Sequence, residues 1–201
     1  MSQKLFARIV DGAVVEYPVL ELHIVNRAHP FDWYTPVVVL KTPEYDPTFE
    51  YIKEELSISG NYVVATPTVV QYDVDQVLTN LAYPNGRTFA MEGEDDGKVE
   101  VVFANLDPKV VNRIVNMVSK KVSDMLDEFA RTKNYDDVKS CATYSNSTNA
   151  TFKAEADRII ELRDQCFSDL YLYIAEVSTG TKPVPSSFSE IQALLPELTW
   201  E

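Results

Sequence analysis

Apolar and polar positions intermix at short period through the first twenty residues, and Leu5 to Val10 and Ala13 to Tyr17 read as two strands. Between them stands Asp11-Gly12, a pair suited to a two-residue hairpin turn because both central positions require positive φ. Pro18 is expected to end the second strand, since it has no backbone donor for a ladder. Asn26 to Pro36 packs aromatics between prolines, which predicts an ordered loop, and the mostly β-branched Thr35 to Lys41 predicts a strand. Pro43 and Pro47 bound a connector rich in Tyr and acid. Tyr62 to Tyr72 predicts one or two strands interrupted at Pro67, at an edge or a bend. Asp73 or Asp75 can open a short helix over Val74, Val77, Leu78 and Leu81, closed by Pro84. After the turn Pro84-Asn85-Gly86, a second hairpin of Arg87 to Met91 and Lys98 to Ala104 is expected around the acidic loop Glu92 to Asp96. Together these predict a small mixed domain of roughly five to seven strands.

At Asp107-Pro108 the period changes from two to three and four. Asp at the N-cap and Pro at the first helical position make a good start, because that proline gives up a donor that would be orphaned anyway. Val111, Ile114, Val115, Val118, Val122, Met125, Leu126 and Phe129 then form one apolar stripe. A helix over 108–131 would be roughly 36 Å long at 1.5 Å per residue, with Asp127 and Arg131 as an i,i+4 pair. Tyr135 to Tyr144 predicts one or two helical turns, and Ser145 to Asn149 an elbow. A second long helix is expected from Thr151 to Val177, stopped by Gly180. Ser187-Phe188-Ser189-Glu190 has the form of a capping box for a short helix through Leu195. Beyond Pro196, Leu198 and Trp200 are expected to fold back as an apolar clip. The fold class is therefore α+β: a β-rich mixed N-terminal domain over 1–106 and a helical hairpin or bundle over 107–201.

The second long helix carries charge where core residues are expected. With Ile159 at zero and 100° per residue, Phe152, Ala156, Cys166, Leu170, Tyr173, Ile174 and Val177 lie within about 60°, and so do Glu155 at about −40° and Arg163 at about +40°. Asp164 falls near the opposite face, so it and Arg163 are expected to play separate roles. Unpaired charge on such a stripe is costly. Arg163 is therefore expected to meet Asp136 or Asp137, while Glu155 caps backbone donors in the elbow. This is a structural polar network, and an Arg163→Ala variant is expected to be strongly destabilised. A catalytic carboxylate and arginine site is disfavoured, because no nucleophile or base with a matched environment accompanies them.

Charge narrows the partners. The chain has 31 Asp plus Glu against 18 Lys plus Arg, a net charge of −13, and no evident basic cluster in the sequence. Nucleic acid and anionic membranes are disfavoured on that ground, and the apolar runs are far short of the roughly 20 residues of a membrane helix. The opening residues lack the continuous apolar core of a secretory signal, so export by that route is not expected. Cys141 and Cys166 suit reduced core thiols; a Cys and His pair would need His23 or His29 to reach them across domains. The histidines have no metal-ligand spacing, the acidic loop lacks calcium-motif spacing, and no phosphate-binding or nucleophile-elbow signature occurs. No cofactor and no metal is expected.

One set of residues has a familiar order. Tyr135-Asp136-Asp137-Val138, Ser140, Tyr144, Phe152, Glu155, Arg163-Asp164, Phe167, Gly180, Pro183, Pro185, Leu195-Pro196 and Trp200 run through the last third of the chain. This pattern resembles a module of tailed-bacteriophage tail fibre, tail-fibre assembly and other virion-associated proteins. Two positions depart from it: Phe167 stands where Trp is usual, and Ala156 where Gly is frequent. The resemblance implies a non-enzymatic tail protein, made in the host cytoplasm and placed in the virion tail, with other tail, baseplate or fibre proteins as partners and self-association as a further option. It would link tail or baseplate to fibres, or act transiently as a fibre-assembly chaperone. Candidate partner contacts are Phe31, Trp33, Tyr34, Leu198 and Trp200, since exposed aromatics anchor interfaces; packing in the chain's own core is the alternative for each. Readings of other classes are an enzyme with a hidden interdomain site and an acidic mimic of nucleic acid directed at a host protein.

Overall fold

A computed structural model describes residues 4–20, 34–84, 98, 99, 101 and 103–200. The fold is α+β, with a curled mixed sheet in the N-terminal part and mostly helices after it. The chain divides into two compact units, Met1–Gln71 and Tyr72–Glu201.

In the first unit, β1 (Leu5–Val10) and β2 (Ala13–Leu20) form the expected hairpin. Asp11 and Gly12 both take positive φ, 51° and 77°, which lets Val10 pair with Ala13 across a two-residue turn. β2 does not stop at Pro18. It runs on to Leu20, because β2 is an edge strand and the pairing with β1 shifts register between Phe6 and Arg8, opposite Tyr17-Pro18. The missing donor thus falls at an irregularity where no ladder bond is lost.

β3 (Tyr34–Val39) joins two kinds of pairing. Its first three residues run antiparallel to β1, and Val37, Val38 and Val39 run parallel to β5 (Tyr62–Gln71). β5 passes through Pro67 unbroken, since the β3 pairing ends at Ala65 and Pro67 has only β4 beside it. A further strand without a counterpart among the expected elements, β4 (Glu50–Ser59), pairs with β5 along its whole length. Its polar face hid its period, but Gly60-Asn61 was the available signal, a two-residue turn with Gly60 at φ 58°.

The sheet order is β2-β1-β3-β5-β4, so β2 and β4 are the two edges. The Tyr17 hydroxyl on β2 nevertheless donates to Glu54 Oε2 on β4 at 2.8 Å. The sheet therefore curls until its edges meet at that pair. Partial burial and the adjoining carboxylate push the Tyr17 phenol up to about 12. Phe6, Val19 and Tyr34 form one buried cluster of this unit, in which Ala7, Phe49, Val63 and Ala65 are also buried.

The second unit begins earlier than the expected boundary at 106/107. α1 (Val74–Ala82), capped by Asp73, packs against α2 (Pro108–Arg131) and buries Val77 and Leu78. Burial rather than the change of period decides where a unit starts. Of the second predicted hairpin, 85–97 lie outside the described residues. Val99 instead donates to the Ala82 carbonyl, Val101 accepts from Val184, and Phe103–Asn105 form a 3-10 turn rather than a strand end.

α2 has the predicted bounds, with Asp107 accepting from the Lys109 N–H at its start. Ile114, Val118, Val122, Leu126 and Ala130 make its buried ridge. Asn134 follows at φ 65°, a left-handed position that Asn tolerates, and turns the chain back. α3 (Val138–Ala142), a 3-10 turn (Thr143–Asn146) and α4 (Ala150–Ser178) complete the hairpin. α4 buries Ala156, Ile159, Leu162, Cys166, Leu170 and Val177. It ends just before Gly180, at φ 75°.

α5 (Phe188–Gln192) is shorter than expected, and its capping box does not form. The Phe188 N–H is taken by Asp75 of α1 at 2.7 Å, while Glu190 accepts from Ser186. A tertiary carboxylate has replaced the local cap.

Candidate functional site

Three of the four residues of the expected network, Asp136, Asp137 and Glu155, sit at the elbow between α2 and α4, although in different pairs from those expected. Asp137 caps α3: its Oδ1 accepts from the Ser140 N–H at 2.6 Å, and Ser140 Oγ accepts from the Asp137 N–H in return, a reciprocal box. Asp136 is exposed and contributes its backbone, donating to Ser140 Oγ and accepting from Arg131 Nε at 3.1 Å. Asp127 Oδ1 accepts from the Val138 N–H at 3.0 Å. Asp127 and Arg131 thus hold the segment after α2, which corrects the i,i+4 pair proposed for them.

Glu155 does not cap the backbone of the elbow. Its Oε2 accepts from the Tyr135 hydroxyl at 2.8 Å, and its Oε1 faces Lys133 Nζ at 3.2 Å. The carboxylate side chain is 15% exposed, so one hydroxyl and one ammonium satisfy a charge that is largely withdrawn from water. Arg163 meets neither Asp136 nor Asp137. Its Nε and Nη2 both donate to Asp164 Oδ1, at 2.9 and 2.6 Å, and its side chain is 39% exposed. The helical angle gave the direction of Cβ, but the long guanidinium stem swings out to solvent and toward its neighbour. Of the four network residues, Asp136 and Asp137 with Glu155 share the elbow, and Arg163 stands apart.

Aromatic rings close the elbow's flank. Tyr135 lies 5.7 Å from Tyr144, and Tyr144 meets Phe152 edge-on at 5.5 Å. Cys141 is fully buried there. Burial first, and the Glu155 charge second, push its thiol up to about 11, against a lowering hydrogen bond from Tyr135. Burial and the Glu155 carboxylate likewise raise Tyr135 above the usual phenol range. Cys166 is also free and buried, with its thiol raised by burial and by Asp169. Thiols held protonated in this way make poor nucleophiles.

The C-terminal residues form the expected clip. Trp200 stacks on Phe129 with centroids 4.3 Å apart and planes 15° off parallel, and its indole N–H donates to Thr132 Oγ1 at 2.9 Å. Arg158, which no sequence motif marks, donates from Nε to the Thr199 carbonyl and from Nη2 to the Thr199 hydroxyl. Leu198 is half-buried. Tyr34 is a core residue at 6% exposure, so it is unavailable as a contact. Phe31, Trp33, both histidines and the acidic loop lie outside the described residues.

Among the described residues no trio of His, Cys, Asp or Glu is placed to hold a metal, and no helix is long and apolar enough to cross a membrane. A cavity of about 20 Å³ lies among Leu78, Phe103, Ile114, Val118, Leu170 and Val177. Its purely apolar lining offers a water no partner. No family model, curated protein or solved structure matches the chain.

Proposed function

We propose that this chain is a non-enzymatic bacteriophage tail protein, an adaptor that links tail or baseplate to fibres through protein contacts. The observation that supports the reading is how the tail-module pattern is used. Tyr135, Asp137, Ser140, Tyr144, Phe152, Glu155 and Trp200 act within one docking unit, where the elbow and the chain end are fastened to α2 and α4. Tyr135 is engaged with Glu155, and Asp137 with Ser140, as befits residues that hold a rigid contact surface in shape.

The test is quantitative mass spectrometry of purified tailed particles from the phage that encodes the chain. Retention at a fixed copy number relative to the fibre or baseplate protein is expected of an adaptor. Presence during assembly and absence from finished particles would replace the adaptor by a transient fibre chaperone.

A further inference from the structure

We infer that the free edge of β4 pairs with β4 of a second copy of this chain, antiparallel about a two-fold axis at Glu55. The hairpin turn fixes which backbone groups stand on that edge. Ser59 and Tyr62 flank the two-residue turn Gly60-Asn61, so they exchange ladder hydrogen bonds, and strand alternation turns Ser57, Glu55, Lys53 and Tyr51 toward β5 as well. Ile52, Glu54, Leu56 and Ile58 therefore aim their N–H and C=O groups away from the sheet. Two bonds agree with that phase. The Glu50 N–H, next in the outward series, donates to the Asp46 carbonyl at 2.8 Å, and the carbonyl of Ala65, opposite Leu56, accepts from Leu40 on the β3 side. Among the described residues, nothing bonds the backbone groups of the outward four.

The two edges of the sheet are guarded differently. β2 carries Pro18 and an irregular register, both of which deter edge pairing. β4 has neither Pro nor Gly and keeps one register with β5 throughout. Glu54 shares a face with Leu56 and Ile58, so the Tyr17 hydroxyl reaches its carboxylate over that face and takes none of the edge groups.

A second copy is selected because β4 complements itself. With the axis at Glu55, Glu54 pairs with Leu56 of the second copy and Ile52 with Ile58, so every donor and acceptor of the outward four finds a partner. On that face Val69 and Ile52 run into Ile58 and Val63 of the second copy as one apolar row. On the other face Tyr51 comes beside Ser59 of the second copy, and so close to Tyr62. Tyr51, Ile58, Tyr62 and Val69 are the large apolar side chains that the β4-β5 hairpin exposes, and they stand at its two ends. Pairing with a reversed copy brings those ends together, a match that a foreign strand does not carry. Lys53 lies diagonal to Glu55 of the second copy, so the charges flanking the axis cancel although each chain carries −13. The inference stands independently of the tail reading.

Glu55→Cys in the full chain tests the register. The two Cα atoms of a non-hydrogen-bonded antiparallel pair are about 4.5 Å apart, within reach of a disulfide. Mild oxidation should link Glu55→Cys into a dimer. Ser57→Cys should not link, because the two copies of that residue lie about 13 Å apart along the strands, and the native Cys141 and Cys166 are buried. Sedimentation equilibrium gives the second readout. Leu56→Pro removes an outward donor but no bond to β5, and should weaken self-association at least about tenfold with an unchanged circular dichroism spectrum. Lys53→Glu should weaken it likewise and Lys53→Glu/Glu55→Lys restore it, which decides the matter if Leu56→Pro unfolds. Val15→Lys, on the other edge, should change it by less than about twofold. A chain that stays monomeric with no Glu55→Cys link, equal linking of Ser57→Cys, a dimer indifferent to the charge reversal, or one lost in Val15→Lys would each overturn the inference.

Discussion

Glu155 and Arg163 show how two charges on one helical stripe can have opposite worth. Glu155 is withdrawn from water and holds a hydroxyl and an ammonium from the segment after α2. Tyr135→Phe should cost about 1 kcal/mol, the net value of one buried hydrogen bond. Glu155→Ala should cost about 2–3 kcal/mol, because it also leaves the Tyr135 hydroxyl without its acceptor. Urea unfolding of the two variants and their double mutant reads both values; strict additivity would mean the pair does not interact. Arg163, exposed and paired to its sequence neighbour, should behave as a surface ion pair. Arg163→Ala should change stability by less than about 0.5 kcal/mol, the reverse of the loss expected from its helical angle.

Elements here are tied together by groups from distant parts of the chain. α5 is too short to be stable alone, and its first donor is taken by Asp75 of α1. Asp75→Ala should therefore cost about 1 kcal/mol, the usual worth of an N-cap, although Asp75 is far from α5 in sequence. The last residues are held by Arg158 and by the ring of Phe129. Trp200→Ala should lose the stacking, the Thr132 hydrogen bond and the apolar area of a half-buried indole, about 2–3 kcal/mol together. Thermal unfolding followed by far-ultraviolet circular dichroism checks both variants. An unchanged midpoint for Trp200→Ala would show that the clip is dispensable.

For the whole molecule, alkaline pH is the sensitive direction. Cys141 has a folded value of about 11 against an ordinary value of 9.0, and Tyr17 of about 12 against 10.0, with Tyr135 also raised. Each group binds its proton more tightly when folded. Its contribution is therefore complete below the ordinary value and is lost as pH rises toward the folded one. The part of stability linked to these groups should be level from pH 7 to 9 and fall above that, by about 2–3 kcal/mol for Cys141 if its whole shift is realised. Cys166 is raised from the same ordinary value, so it is in Cys141→Val/Cys166→Val that the onset should move from about pH 9 to about pH 10, read from urea midpoints across the range. An onset that does not move would assign the alkaline loss to other groups.

Periodicity, caps and turn residues determined the local elements. Asp11-Gly12 set the first hairpin, Asp107-Pro108 and the apolar stripe set α2, and Asn149 and Gly180 bracket α4, since these signals act over one or two turns of backbone. Tertiary structure decided what depends on atoms distant in sequence. It placed β4 in the sheet through pairing with β5 rather than through its own polar pattern, carried β2 past Pro18, and moved the start of the helical unit to Tyr72. It also chose the partners of the charged side chains. A helical angle fixes where a Cβ points, but a Glu, Lys or Arg has several further bonds to rotate, and its partner is whichever group the packed fold brings within reach. Glu155 thus went to Tyr135 and Lys133, and Arg163 to Asp164, because packing, not spacing, set which groups met.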